Sequence, residues 1–260
     1  MGEYRSNDIN NKKLTLPKMI IFDYGHTLIY EQGFDGMKGT QAVMAHAVKN
    51  PGNLSVSEVN DFSDRLFGDI KQNAIVHGIE VHNMIYQRLL YEYLEIELSV
   101  TYREAEKLYW DNAAPGTIMP YADEVITYLN EKGIRSGVIS NISFSGDTLA
   151  ERINRLLPHN KFEFIIASSE YVYRKPNAIL FELALRKARL RPEEVWFCGD
   201  NVNADILGAY KAGIFPVWYE SSLECYYRDK SADKPPDCDH LHITDWRELI
   251  EVLERTEAAY

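Results

Sequence analysis

The stretch KMIIFDYGHTLIY, Lys18 to Tyr30, decides the fold class of this chain. Residues 19–22 form an unbroken apolar run that ends in a carboxylate, Asp23. Short runs of this kind are typical of strands that are buried on both faces of a parallel sheet. Two positions beyond Asp23, where a second carboxylate could share acid–base chemistry, the chain has Gly25 and then His26. The stretch therefore predicts a buried strand that delivers a single aspartate to a site.

The length and the net charge of the chain limit its domain organisation and the ligands that it can bind. The 260 residues can form one domain or a core with a smaller inserted lobe. The formal charge is −11, from 28 basic and 39 acidic residues, which argues against nucleic-acid or membrane-surface binding because both need basic clusters. An anionic substrate stays compatible, since a metal ion, a lysine and helix N-termini can make a site locally positive.

The cysteine pattern and the apolar segments indicate in which cellular compartment we expect the protein. Cys198, Cys225 and Cys238 are odd in number and lack CxxC spacing, which argues against a disulfide framework or a structural zinc site. Residues 1–18 contain no apolar run typical of a signal peptide, and no stretch is long and apolar enough to span a bilayer. We expect a cytoplasmic protein.

The pattern of apolar residues changes twice along the chain. Residues 1–16 are predicted to be a poorly ordered tail. From Gly33 to Pro115 the pattern is helical, with no convincing strand, and two capping boxes mark helix starts. Beyond residue 116, helices alternate with short apolar strands, which is typical of a parallel sheet covered on both faces. We predict an α/β, Rossmann-like parallel-sheet core, residues 17–32 and 116–260, with an all-helical cap inserted at 33–115.

Polar residues follow the predicted strands. Parallel sheets of this kind bind ligands outside the carboxyl ends of their strands, so these side chains are expected to converge. Oxygen ligands among them can hold Mg²⁺, a lysine can offset the charge of a phosphoryl group, and a carboxylate can attack phosphorus. The residues in question are Asp23, Gly25, Thr27, Ser140, Asn141, Lys175, Asp200 and Asp205.

In this order the residues resemble the haloacid dehalogenase superfamily, most of whose members are Mg²⁺-dependent phosphatases. The first motif of that superfamily, usually Asp-x-Asp-x-Thr, appears as DYGHT. The second appears as VISN, the third as the lysine of RKPN, and the fourth as the acidic pair of GDNVNAD. The helical stretch between the first two motifs resembles the cap that many members carry there.

The resemblance implies a role for each matching position. It makes Asp23 the nucleophile and Lys175 a catalytic residue that also binds phosphate. It places Ser140 and Asn141 at the phosphate-binding end of the second strand. The metal site that it implies consists of Asp23, the Gly25 carbonyl, Asp200 and Asp205.

One position departs from the superfamily pattern. Gly25 stands where the second aspartate of the first motif protonates the leaving oxygen and later activates water. General acid–base catalysis contributes about 10²–10⁴-fold, so esters with poor leaving groups should react slowly. His26 is an alternative acid, although neighbouring residues of an extended segment point in opposite directions. Thr27 is expected to stabilise the loop.

The leading hypothesis is a Mg²⁺-dependent phosphatase of a small phosphorylated metabolite, acting through an aspartyl-phosphate at Asp23 and weakened by Gly25. Halide displacement is an alternative, against which Asp200 argues. A phosphonate hydrolase would need a cap lysine, for which Lys49 and Lys71 are available. The last alternative is a regulatory module that binds phosphate with little catalysis, and Gly25 is the only feature that favours it. Neither the substrate nor the oligomeric state is predicted by any pattern, and residues 219–240 are predicted to be a surface loop without an assigned function.

Overall fold

The computed structural model describes residues 14–230 and 234–258. The first thirteen residues of the predicted tail therefore lie outside the described part. In chain order the strands are β1 (Met19–Phe22), β2 (Ile29–Glu31), β3 (Ala47–Lys49), β4 (Glu97–Leu98), β5 (Gly116–Ile118), β6 (Arg135–Ser140), β7 (Ile165–Ala167), β8 (Val195–Gly199), β9 (Phe215–Tyr219) and β10 (Leu241–Ile243). The helices are α1 (Gly36–Met44), α2 (Val56–Val76), α3 (Asn83–Tyr93), α4 (Tyr102–Ala113), α5 (Ala122–Lys132), α6 (Gly146–Leu156), α7 (Ala178–Ala188), α8 (Leu207–Lys211) and α9 (Trp246–Ala258).

A six-stranded sheet in the order β10-β9-β8-β1-β6-β7 forms the core. Each neighbouring pair is parallel, and Phe22 of β1 lies opposite both Val138 and Cys198. The predicted first strand is thus one of the two middle strands, flanked by β6 and β8. The α/β fold with a parallel sheet is confirmed.

Helices cover both faces of this sheet, and the alternation of side chains along β1 shows how. Ile20 and Phe22 pack into the cluster that contains Trp246 of α9. Met19 and Ile21 point the other way, into the cluster with Phe181 of α7. All four β1 residues are fully buried, which explains why their sequence is apolar at every position rather than alternating.

The last strand corrects the sequence-based prediction. Leu241–Ile243 forms β10, which pairs with β9 in parallel and places Leu241 opposite Val217. The sequence predicted no strand between the surface loop and the C-terminal helix. Three residues with a histidine in the middle are too few to show an apolar run, and β10 owes its conformation to the edge that β9 offers.

The insertion between β1 and β6 carries four helices, as expected, but it is not all-helical. Ala47 and Leu98 pair in the short antiparallel sheet of β3 and β4. Strands β2 and β5 form a second antiparallel pair where the chain leaves the core and returns to it. These strands have two or three residues, too few for a recognisable pattern. Both predicted capping boxes are present, at Ser55 and Thr101.

Arg152 of α6 ties the insertion to the core. Its buried guanidinium lies 3.2 Å from Glu31 and 4.2 Å from the ring centre of Trp110. On the other side of the insertion, the Asn83 N–H donates to the Ser143 carbonyl at 2.7 Å. The insertion is therefore docked at two places over the carboxyl edge of the sheet. Its limits at residues 33 and 115 stay a prediction.

Within residues 14–230 and 234–258, no helix is both long and apolar enough to cross a membrane.

The packing of α1 against α4 can be tested with two glycines. A Cβ on Gly39 would lie 2.7 Å from Cδ2 of Tyr109 and 2.9 Å from the Tyr109 carbonyl oxygen. We expect Gly39→Ala to lower the free energy of unfolding by about 1–3 kcal/mol, because overpacking forces backbone shifts. Gly68→Ala in α2 is the matched control, since nothing lies within 4 Å of its Cβ. It should raise stability by about 0.5–1 kcal/mol through helix propensity. Urea unfolding measures both, and equal effects would contradict the packing.

Candidate active site

Three adjacent strands bring the predicted site residues to one edge of the sheet. Asp23 follows β1, and its N–H donates to the Cys198 carbonyl of β8 at 2.8 Å. Ser140 is the last residue of β6, and Asp200 follows β8 directly. Because β6, β1 and β8 are neighbours and parallel, their carboxyl ends place these side chains side by side.

Lys175 lies at the centre of the site. It is buried, and its Nζ lies 2.6 Å from Asp23 Oδ1 and 2.7 Å from Asp205 Oδ1. Its Nζ also donates to the Ile139 carbonyl at 2.8 Å. Burial alone would lower the pKa of Lys175, but the Asp205 and Asp23 carboxylates outweigh it and raise that pKa. The lysine is therefore charged and fixed in position.

Asn141 holds the loop that carries this lysine. Its Oδ1 accepts from the Lys175 N–H at 2.7 Å, and its Nδ2 donates to the Lys175 carbonyl at 2.9 Å. The side chain thus orients Lys175. Ser140 is buried beside it. Phosphate binding by Ser140 and Asn141 stays a prediction.

Three carboxylates surround the lysine. Oxygen atoms of Asp23, Asp200 and Asp205 all lie within 4.8 Å of one another, and all three residues are buried. Burial is the main cause that raises the pKa of Asp23, an effect that Lys175 counters. Burial and the neighbouring carboxylates raise the pKa values of Asp200 and Asp205 to about 6. Asp205 is oriented by the Asn201 N–H, which donates to its Oδ2 at 3.0 Å.

This donor set fits a hard divalent cation. With the aspartates ionised, three carboxylates face the Lys175 ammonium and the Arg228 guanidinium, and the remaining negative charge is costly in a buried site. Carboxylate oxygens at this spacing are the ligands that Mg²⁺ and Ca²⁺ prefer. Gly25 lies in the turn directly after Asp23, where the Tyr24 carbonyl accepts from the N–H groups of Leu28 and Ile29. A metal role for the Gly25 carbonyl stays a prediction.

Residues 221–230 reach into the site, which the sequence did not predict. The Arg228 Nη2 lies 2.6 Å from Asp200 Oδ2, and a Cβ built on Gly25 would lie 3.1 Å from the Tyr227 hydroxyl. The Tyr226 hydroxyl donates to Glu31 at 3.4 Å. The sequence signal was two aromatic residues and an arginine in an otherwise polar loop. That signal is too common to identify site residues without the fold.

His26 is buried away from water, with a positive φ of 54°. Its ring packs edge-on between those of Tyr30 and Tyr227, at 5.4 and 5.3 Å between centroids. Burial, assisted by Lys230 and Arg228, lowers the pKa of His26 to about 4. A neutral, aromatic-packed ring does not favour His26 as the substitute acid. Thr27 accepts a bond from the Trp246 Nε1 at its carbonyl, 3.0 Å, in keeping with a loop-stabilising role.

The sheet, the Asp–Lys–Asp cluster at its carboxyl edge and the helical insertion after its first strand define a capped α/β fold with a buried acidic site. Residues 17–213 match the haloacid dehalogenase-like hydrolases, and the chain belongs to that family.

Two relatives with assigned names share part of the sequence. A glyceraldehyde 3-phosphate phosphatase of Methanothermobacter thermautotrophicus is 38% identical over 112 residues, 42% of this chain and 48% of the relative. A phosphoserine phosphatase of Thermus thermophilus is 26% identical over 148 residues, 57% of this chain and 56% of the relative. The chain thus spans about half the length of the curated relatives that it matches.

A solved structure supports the fold over nearly the whole chain. A 2-haloacid dehalogenase from Pseudomonas syringae superposes with a TM-score of 0.58 at 23% identity, covering 92% of this chain and 99% of the other. At this identity the likeness shows the fold alone.

The contacts of Lys175 predict that removing its ammonium group strongly lowers the stability of the fold. Lys175→Met, measured with EDTA at pH 8, should lower the free energy of unfolding by about 3–5 kcal/mol, because two buried carboxylates lose their partner. Lys132→Met is the matched control, since Lys132 pairs with Glu257 at 2.7 Å on the surface. It should cost about 1 kcal/mol at most. Equal losses in urea unfolding would show that Lys175 does not hold the cluster together.

Proposed function

We propose that this hydrolase is a Mg²⁺-dependent phosphatase that acts on a small phosphorylated metabolite. The observation that carries the proposal is the bond from Lys175 to Asp23 within a buried acidic cluster. It keeps one carboxylate oxygen at a fixed position beside a positive charge, as attack on a phosphoryl group requires. The names of the relatives, which are phosphatases of small metabolites, support the same chemistry.

In the proposed reaction, a carboxylate oxygen of Asp23 attacks phosphorus and the bond from phosphorus to the leaving oxygen breaks. Water then hydrolyses the aspartyl-phosphate and restores the carboxylate. Lys175 offsets the negative charge of the phosphoryl oxygens in both steps. Ser140 is proposed to bind one of those oxygens, and Asn141 keeps the Lys175 loop in place.

Asp23, Asp200, Asp205 and the Gly25 carbonyl are the groups proposed to hold Mg²⁺. The ion would neutralise phosphate charge that one lysine cannot balance alone. The Arg228 guanidinium engages Oδ2 of Asp200, and the second oxygen of that carboxylate is outside this ion pair. The cluster therefore retains oxygen ligands for a cation beside Arg228.

The nucleophile is tested by Asp23→Asn. The amide cannot form the aspartyl-phosphate, so turnover of p-nitrophenyl phosphate should fall by about 10³-fold or more. Asp123→Asn is the control, because Asp123 is an exposed residue in the first turn of α5. Its activity should equal that of the wild type. Substantial turnover by the Asp23 variant would exclude covalent catalysis at this residue.

The cation site is tested by stability rather than activity. Mg²⁺ at about 100 times its Kd should raise the free energy of unfolding by about 2.7 kcal/mol, because it binds the folded state. Asp200→Asn should remove most of this gain, whereas Asp123→Asn should keep it. Thermal unfolding with Mg²⁺ or EDTA measures the difference. An unchanged gain in the Asp200 variant would place the cation elsewhere.

The same purified protein can be offered the alternative substrates. Phosphate release from metabolite monoesters supports the proposal, whereas halide release from 2-haloacids would favour a dehalogenase. A phosphonate hydrolase would depend on a cap lysine. Lys49 pairs with Glu97 at the surface, but burial and the nearby Arg174 lower the pKa of Lys71. Loss of phosphonate cleavage in Lys71→Ala would therefore identify that chemistry.

A further inference from the structure

The space above Gly25 is filled from a distant part of the chain. A first side-chain atom on residue 25 would lie 3.1 Å from the Tyr227 hydroxyl, closer than ordinary van der Waals contact. The tyrosine oxygen therefore stands beside the direction in which a side chain at position 25 would project. In the resembled motif, that direction belongs to the acid–base carboxylate. Here a phenol hydroxyl occupies its neighbourhood.

Several contacts keep Tyr227 in this place. On one side the Arg228 guanidinium is bonded to Asp200 at 2.6 Å. On the other side the Tyr226 ring stacks on Phe34, with 6.5 Å between centroids, and its hydroxyl donates to Glu31. Lys230 closes the segment on itself by donating to the Leu223 carbonyl at 3.2 Å. The hydroxyl is thus positioned from both ends of a short, anchored segment.

The hydroxyl is suited to donate a hydrogen bond. Tyr227 is 51% exposed, so its side chain is partly open to solvent. A phenol has an ordinary pKa of about 10, so the hydroxyl carries its proton at neutral pH. The nearby Cys225 thiol is a weak acceptor that an ester oxygen would replace.

We propose that the Tyr227 hydroxyl takes over the leaving-group side of the site, donating a hydrogen bond to the ester oxygen that departs from phosphorus. The proposal rests on the proposed phosphatase function. As Asp23 attacks and the bond between phosphorus and the ester oxygen breaks, negative charge builds on that oxygen. The phenol stabilises this charge, and water supplies the proton that completes the alcohol. Tyr227 is therefore a catalytic residue for esters with poor leaving groups.

His26 supports the ring that carries this hydroxyl. The imidazole lies edge-on to Tyr227 at 5.3 Å and to Tyr30 at 5.4 Å. The position after Gly25 thus carries a ring that packs against Tyr227. Gly25, His26 and Tyr227 belong to one arrangement, in which the glycine leaves room and the histidine fills the space beside the phenol.

The test compares leaving groups. Tyr227→Phe should lower kcat/KM for an alkyl phosphate such as glycerol 3-phosphate by about 10–100-fold, the loss of one hydrogen bond to a charged oxygen. For p-nitrophenyl phosphate the loss should stay below about 3-fold, since the nitrophenolate stabilises its own charge. Tyr128→Phe is the matched control, because Tyr128 lies in α5 beside Lys132, whose Nζ is 5.7 Å from its ring centre. It should change both substrates by less than about 2-fold.

A double-mutant cycle with Gly25→Asp gives a second measurement. The new carboxyl group crowds the Tyr227 hydroxyl and takes over its task, so alkyl-phosphate turnover should rise. In that background, Tyr227→Phe should no longer lower it, and the two effects should be non-additive. Retained turnover of p-nitrophenyl phosphate shows that each variant is folded.

The outcomes separate the inference from the function on which it rests. If phosphate release depends on Asp23 but Tyr227→Phe lowers both substrates equally or neither, the role of Tyr227 is refuted and the phosphatase stands. Additive effects in the cycle would refute it as well. If no phosphate ester is hydrolysed, the proposed function fails and the inference fails with it.

Discussion

The ammonium group of Lys175 is the interaction on which the site depends. It touches Asp23 and Asp205, which lie on different loops of the carboxyl edge, and is fixed by the Ile139 carbonyl from a third position. Without that positive charge, three carboxylates within 4.8 Å would repel one another in a buried place. The parallel sheet brings the strand ends together, and the lysine makes the resulting concentration of acids compatible with a folded protein.

The same charge balance explains why the 221–230 segment can lie where it does. Lys175 compensates Asp23 and Asp205, while Asp200 is paired with the Arg228 guanidinium. The guanidinium that pairs with Asp200 therefore belongs to the segment that also carries Tyr227. The electrostatic need of the site and the position of the phenol are coupled through two adjacent residues. Binding of a metal ion at Asp200 and the conformation of the 221–230 segment should consequently influence each other.

The sequence predicted the features that are local or repeated. The apolar run at 19–22 predicted a buried strand because every side chain of a central strand meets the core. The capping boxes at Ser55 and Thr101 predicted helix starts, since both partners lie within four residues. Asp23, Lys175 and Asp200 were recognised as candidates because each follows a strand or fits a spaced motif, and the sheet does bring them together.

What the sequence did not predict depends on contacts between distant residues. Strand β10 is three residues long and exists because β9 offers it an edge. Arg152 joins the core to the insertion by packing on Trp110 beside Glu31, and none of these residues carries a local signal for the contact. The approach of Tyr227 to Gly25 spans most of the chain. Such contacts follow from the packing of whole elements, so composition and periodicity do not report them.

Gly25 shows why the contacts that the sequence did not predict matter for function. In the sequence, Gly25 means that the first motif lacks its second acid. In the structure it is also a space, because a side chain at that position would meet the Tyr227 hydroxyl at 3.1 Å. A glycine that only removed an acid would leave this volume to water or to substrate. Since a phenol approaches it from an anchored segment instead, the glycine and the tyrosine restrict each other, and a change at either position alters what the other can do. Proton donation and leaving-group stabilisation are separable tasks, and this site assigns the second to a residue outside the motif.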